Sequence, residues 1–127
     1  MADLFALQGG YTASPASGCP SGLPTIDTPL AESVMLSAKQ IVEPTLTVDS
    51  PVAVAFGGVT NANVVVIKVK NGGKVKARFT SADGSTQAVP VDSLLVLTAL
   101  SVPITAIDLT RVPATATIVE VFLGQKA

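Results

Sequence analysis

Residues able to move protons or to attack carbonyl groups near neutral pH are sparse in this chain, which has no histidine, one cysteine and 9 carboxylates. General acid and base work falls to histidine or to carboxylates tuned by close pairing. Here Asp3, Asp27, Glu32, Glu43, Asp49, Asp83, Asp92, Asp108 and Glu120 are scattered, and no two stand at a spacing that argues for a pair. Neither a Gly-x-Ser-x-Gly elbow nor a Ser-x-x-Lys pattern is present to activate a serine. Gly57-Gly58 and Gly72-Gly73 lack the lysine and following helix of a phosphate-cradling loop, and Asp83-Gly84-Ser85 lacks the remaining ligands of a calcium loop. Cys19, in Ser17-Gly18-Cys19-Pro20-Ser21, has no neighbouring base and no second cysteine with which to form a disulfide or share a metal, so it reads as a passive thiol. The residue types therefore predict no enzyme, no cofactor and no metal site.

One feature of charge is concentrated. Lys68, Lys70, Lys74, Lys76 and Arg78 lie within a short stretch of a chain that holds only 8 cations. Strand alternation places Lys68 and Lys70 on one face, and likewise Lys74, Lys76 and Arg78, leaving Ile67, Val69, Val75, Ala77 and Phe79 for a core. If a turn at Asn71-Gly72-Gly73 joins the two segments as a hairpin, the five cations form one basic ribbon. A nucleic-acid reader would add stacking aromatics and a basic overall balance, whereas the chain has 4% aromatic residues and a net charge of −1. The ribbon reads either as a solvated face that protects an edge or as a contact for an acidic protein surface.

The elements that would carry these residues are strands. From Ser33 onward short β-type runs recur between turn signals: Ser33 to Leu36, Thr45 to Asp49, Val52 to Phe56, Asn63 to Val69, Lys74 to Thr80, Thr86 to Val91, Leu94 to Leu97, Ile104 to Leu109 and Thr115 to Phe122. Such spacing predicts an all-β sandwich or jelly-roll-like domain. Asn71-Gly72-Gly73 and Ala82-Asp83-Gly84 offer residues that tolerate positive φ, which predicts a three-stranded meander over residues 63–91. Ala31 to Gln40 could form a turn or two of helix. Between Gln8 and Leu30, Gly and Pro recur densely enough to predict an irregular backbone. The division is thus an extended arm over residues 1–32 and a β domain over residues 33–127. Leu4, Phe5, Leu7 and Tyr11 are apolar anchors with which the arm could lie in a groove.

Composition sets the setting of these elements. Of 127 residues 48% are hydrophobic, with no Trp, so Val, Leu, Ile and Ala must fill the core, a palette that suits strands. Charged residues are 13%, about half the usual share for a soluble domain, which fits a surface covered by partners. No run approaches the ~18 apolar residues that cross a bilayer, and the first ten residues lack the pattern of a signal peptide, so synthesis in the cytosol and no membrane partner are expected.

The segments Val89 to Leu97, Ile104 to Thr110 and Ala116 to Gly124, together with the Gly/Pro-rich start, resemble small structural proteins of tailed-phage virions, of the head decoration or cement type. The resemblance is one of general character and rests on no diagnostic motif. It implies a β-sandwich or jelly-roll-like domain, often trimeric, bound to the major capsid protein at symmetry positions on a shell, and so a virion-surface location after synthesis in the host cytoplasm. It carries over no catalytic residue. A tail or neck component is the neighbouring alternative. A carbohydrate-binding β module is disfavoured by having one Tyr and no Trp, and a nucleic-acid-binding domain by the net charge.

Overall fold

The computed structural model describes residues 3–13, 26–71, 73–98 and 100–127. Its described residues form ten strands and no helix. In chain order these are β1 (Asp3–Ala13), β2 (Ile26–Val42), β3 (Thr45–Leu46), β4 (Val52–Ala53), β5 (Val64–Val69), β6 (Val75–Ser81), β7 (Thr86–Val91), β8 (Leu94–Leu97), β9 (Ile104–Arg111) and β10 (Thr117–Lys126). They build two antiparallel sheets. The first runs β1-β2-β10-β5-β8 with β3 also paired to β10, and the second runs β4-β9-β6-β7. The all-β sandwich expected from strand spacing is therefore present.

Alternation explains the packing. Val65, Ile67 and Val69 of β5 and Val119, Val121 and Leu123 of β10 point inward and are buried, as are Val75, Ala77 and Phe79 of β6 and Ile107 and Leu109 of β9. These side chains meet between the sheets in one apolar cluster with Leu46, Ile104 and Val91. The buried Thr117 hydroxyl donates to the Thr115 carbonyl at 3.0 Å, so the core holds no orphaned side-chain polar atom among the described residues. A hydroxyl left unpaired there would cost stability, whereas this one is satisfied two residues away.

The predicted meander over residues 63–91 is corrected by the sheet order. β6 pairs with β7 as expected, and Gly84 at φ 86 closes that turn. β5, however, pairs with β10 and β8, and the connection after it crosses to the other sheet. Asn71 holds the chain on the first sheet: its Nδ2 donates to the Ala116 carbonyl at 3.0 Å and its Oδ1 accepts from the Ile118 N–H at 3.3 Å. A Cβ on Gly73 would stand 2.8 Å from Thr117 Oγ1, so a glycine is needed there for close approach at the crossover. Turn residues report that the chain bends, and long-range pairing decides which sheet it enters.

The helical turns over 31–40 are also corrected, while the irregular arm expected over residues 8–30 lies in part outside the described residues. β1 pairs with β2 from Asp3↔Leu36 to Ala13↔Ile26, so both stretches are ladder where the structure describes them. Pro29 is compatible with this because β10 reaches β2 only at residues 36–42. The second edge of β2 near Pro29 therefore has no strand partner among the described residues, and a missing donor is tolerated at an edge. β2 runs through residues 32 and 33 without a break.

A bulge then changes which side of β2 faces the sandwich. Pairing moves from Gln125↔Ala38 to Lys126↔Leu36, leaving Ser37 as the extra residue. One extra residue reverses the facing of everything beyond it. Ala38 and Val42 consequently pack into the main core, whereas Val34 and Leu36 lie on the outer face of the first sheet with Val64, Phe5 and Phe122. Phe5 and Phe122 stack at 5.3 Å between centroids. This second small cluster fastens the β1–β2 hairpin to the body.

Candidate functional site

The outer face of the six-stranded sheet carries an apolar band. Register places Val96, Val66, Phe122 and Ile41 directly opposite one another across β8, β5, β10 and β2. All four are partly or largely accessible, with Ile41 at 62% exposure, and no further layer covers them among the described residues. The next row is charged: Lys68 stands opposite Glu120, and beyond it Lys70 Nζ lies 3.2 Å from Glu43 Oε2. An apolar strip bordered by mixed charge has the anatomy of a protein-contact surface, with an apolar centre and a polar rim. None of the four was a candidate from sequence. The signal was there in Val64-Val65-Val66-Ile67, a run with no polar residue on either face, although only the fold shows that its outer side lacks a covering layer.

The five cations do not form one ribbon, because β5 and β6 belong to different sheets. Lys68 and Lys70 project from the outer face of the first sheet, and Lys76 and Arg78 from the outer face of the second. Acidic residues accompany them. Lys74 Nζ is 4.0 Å from Asp92 Oδ2, and Arg78 faces Asp108 in register. Charge alternating in this way gives no continuous positive field for phosphates.

Of the expected arm anchors, Phe5 is half-buried in the hairpin cluster, whereas Leu4, its sequence neighbour, is exposed. Leu7 and Tyr11 pair in register with Glu32 and Thr28, and their side chains lie outside the described residues, as does all of Cys19. No three of Cys, Asp and Glu gather as a metal-binding group among the described residues, and no helix there is long and apolar enough to cross a membrane.

A cleft of about 420 Å³ opens where β7 and β8 diverge at the ends of the two sheets. Buried Phe79 and Ile104 form its base, with Leu95, Leu97, Leu100 and the exposed Val102 around it. The remaining lining residues are uncharged and include the hydroxyls of Ser81, Ser85 and Thr86. Close by, the Asp83 carboxylate caps the β6–β7 turn, accepting from the Ser85 hydroxyl at 2.6 Å and the Ser85 N–H at 2.9 Å. These bonds favour the ionised form and hold Asp83 below the usual carboxylate range. The group is fully exposed and serves the turn, with no partner base beside it. No family model, no curated protein and no solved structure matches this chain.

Proposed function

We propose that this chain is a non-enzymatic structural protein that binds an assembled protein shell and stabilises it, in the manner of the phage head decoration proteins that it resembles. The observation that carries this reading is the apolar band of Ile41, Phe122, Val66 and Val96 on a rigid sheet. Exposed apolar rows of this kind gain free energy when covered, at about 25 cal/mol per Å² of apolar area removed from water. Low overall charge supports the same reading, since a chain with 13% charged residues has few devices to keep neighbours away. A homo-oligomer, a trimer by the resemblance, on the surface of a virion and against its major capsid protein is the corresponding arrangement. Binding that exists only in the assembled state stabilises that state by mass action.

The test adds purified protein to shells that lack it and measures occupancy and the temperature of rupture. Saturable occupancy with a higher rupture temperature is expected, and Ile41→Asp, at an exposed position, is expected to abolish both while leaving the fold intact. Absence of binding, or binding with no gain in rupture temperature, overturns the stabilising role and favours a tail or neck component.

A further inference from the structure

The six-stranded sheet ends in two edges that differ from the other edges of the molecule. Its last strand, β8, has the sequence Leu94-Leu95-Val96-Leu97, with neither a charge nor a proline. Natural edge strands are normally blunted by such residues or by extreme shortness. The four-stranded sheet obeys that rule, since β7 contains Pro90 and β4 is 2 residues long. Among the described residues β8 pairs only with β5. The Val69 N–H donates to the Ser93 carbonyl, so alternation turns the backbone groups of Leu95 and Leu97 toward β5 and those of Leu94 and Val96 outward. Leu94 is 58% exposed. Beneath this edge lies the uncharged cleft, into which Leu95 and Leu97 project.

At the opposite end of the same sheet stands β1, whose only side chain charged at neutral pH is Asp3. Phe5 occupies the outer side of this strand, in the cluster with Phe122 and Val64. Leu4 therefore faces the inner side, the side on which Leu95 and Leu97 also lie, and it is 61% exposed. Among the described residues, a leucine at one end of the sheet is thus exposed and the apolar cleft at the other end is open.

We propose that copies of this chain join head to tail through these two edges, β1 of one copy adding to β8 of the next. Each junction continues the six-stranded sheet, pairs the outward backbone groups of Leu94 and Val96, and seats Leu4 in the cleft between β7 and β8 of the neighbour. β1 and β8 run in the same direction within the sheet, so parallel addition of β1 to β8 keeps the inner faces continuous and brings Leu4 to the side of the cleft, and the lack of charge in both the cleft and Leu4-Phe5-Ala6 makes a dry contact possible without burying an ion. Because the two edges are different surfaces the contact is heterologous; the proposal includes closure into a ring, the alternative for such a contact being an open filament. The inference does not depend on shell binding and is tested without a shell.

Sedimentation and light scattering of the intact protein at tens of micromolar are expected to give a discrete oligomer. Leu4→Asp and Val102→Glu alter exposed side chains on the two halves of the junction. Each is expected to weaken self-association roughly tenfold or more, the level that marks an interface anchor, with an unchanged circular dichroism spectrum. In a Cys19→Ser background, Leu4→Cys and Val102→Cys proteins should form a disulfide when mixed and oxidised, and neither should cross-link alone. A monomer at these concentrations, open-ended growth of the particle, or cross-linking of Leu4→Cys with itself as efficient as in the mixture would overturn the proposal.

Discussion

Ala114 is a non-glycine residue held in the left-handed region, at φ 61, in the connection between β9 and β10. Its N–H donates to Asp49 Oδ1 at 3.0 Å, and the same oxygen accepts from Arg111 Nε and Nη2, each also at 3.0 Å. One carboxylate therefore ties the segment after β3 to two points near the end of β9, and the backbone of Ala114 absorbs the geometry. Left-handed backbone costs an L-residue roughly 1–2 kcal/mol, part of which glycine recovers before its own entropic cost is counted. Ala114→Gly should accordingly raise stability by up to about 1 kcal/mol, read as a higher urea midpoint at unchanged slope. Asp49→Ala should lower it by about 1 kcal/mol, a modest figure because Asp49 is exposed and solvent screens the pair. A second residue-scale expectation concerns pH. Asp83 has a depressed folded-state pKa, so its contribution to the β6–β7 turn is present above the unfolded carboxylate value and is lost as pH falls through the folded one. Titration followed by nuclear magnetic resonance should show the Asp83 midpoint below the unfolded carboxylate value, with exchange of the Ser85 N–H accelerating through the same transition. The Asp83 turn was legible in sequence because its chemistry is local. Ala114 was not, because its strain is imposed by Asp49, far away in the chain.

Among the elements, the β1–β2 hairpin depends on a bulge and a missing side chain. Gly124 lies on the outer face beneath Leu36, and a Cβ there would stand 2.9 and 3.0 Å from the two Leu36 methyl carbons and 3.4 Å from Phe122 Cε1. Gly124→Ala should therefore push Leu36 outward and cost about 1–3 kcal/mol by overpacking. The damage should be concentrated in the hairpin, since Leu36, Val34 and Phe5 form its attachment while the main core lies on the other side of the sheet. Hydrogen exchange measured by mass spectrometry should show earlier loss of protection in residues 3–13 and 26–36 than in β5 and β6. Equal destabilisation of both regions would mean that the hairpin and the sandwich unfold as one unit. The strands from Asn63 to Leu109 were legible because alternation and turn residues agree there. The hairpin was hidden by its own composition, since Gly and Pro at this density signal irregular chain and only pairing with a distant partner makes them ladder. The bulge at Ser37 leaves no sequence mark at all, yet it decides which side Leu36 covers.

At the scale of the whole molecule, the crossover after β5 separates two sets of cations that the sequence places side by side. Lys68 and Lys70 border the apolar band, whereas Lys74, Lys76 and Arg78 belong with the four-stranded sheet. Contact through the band would bring the first set to the rim of an interface and leave the second set in water. Rim charges act mainly on association rate and its salt dependence, with smaller effects on dissociation. Lys68→Glu combined with Lys70→Glu should therefore slow attachment to a shell roughly tenfold at low ionic strength, an effect that shrinks as salt is added. Changing Lys74, Lys76 and Arg78 to glutamate should leave attachment within about twofold of the original, because charges more than a Debye length from the contact are screened. The double and the triple substitution are compared by measuring the binding rate at several salt concentrations, with Ile41→Asp as the reference for loss of the band. If the second set controls attachment and the first does not, the contact face is the four-stranded sheet, and the apolar band must be covered by something other than the shell.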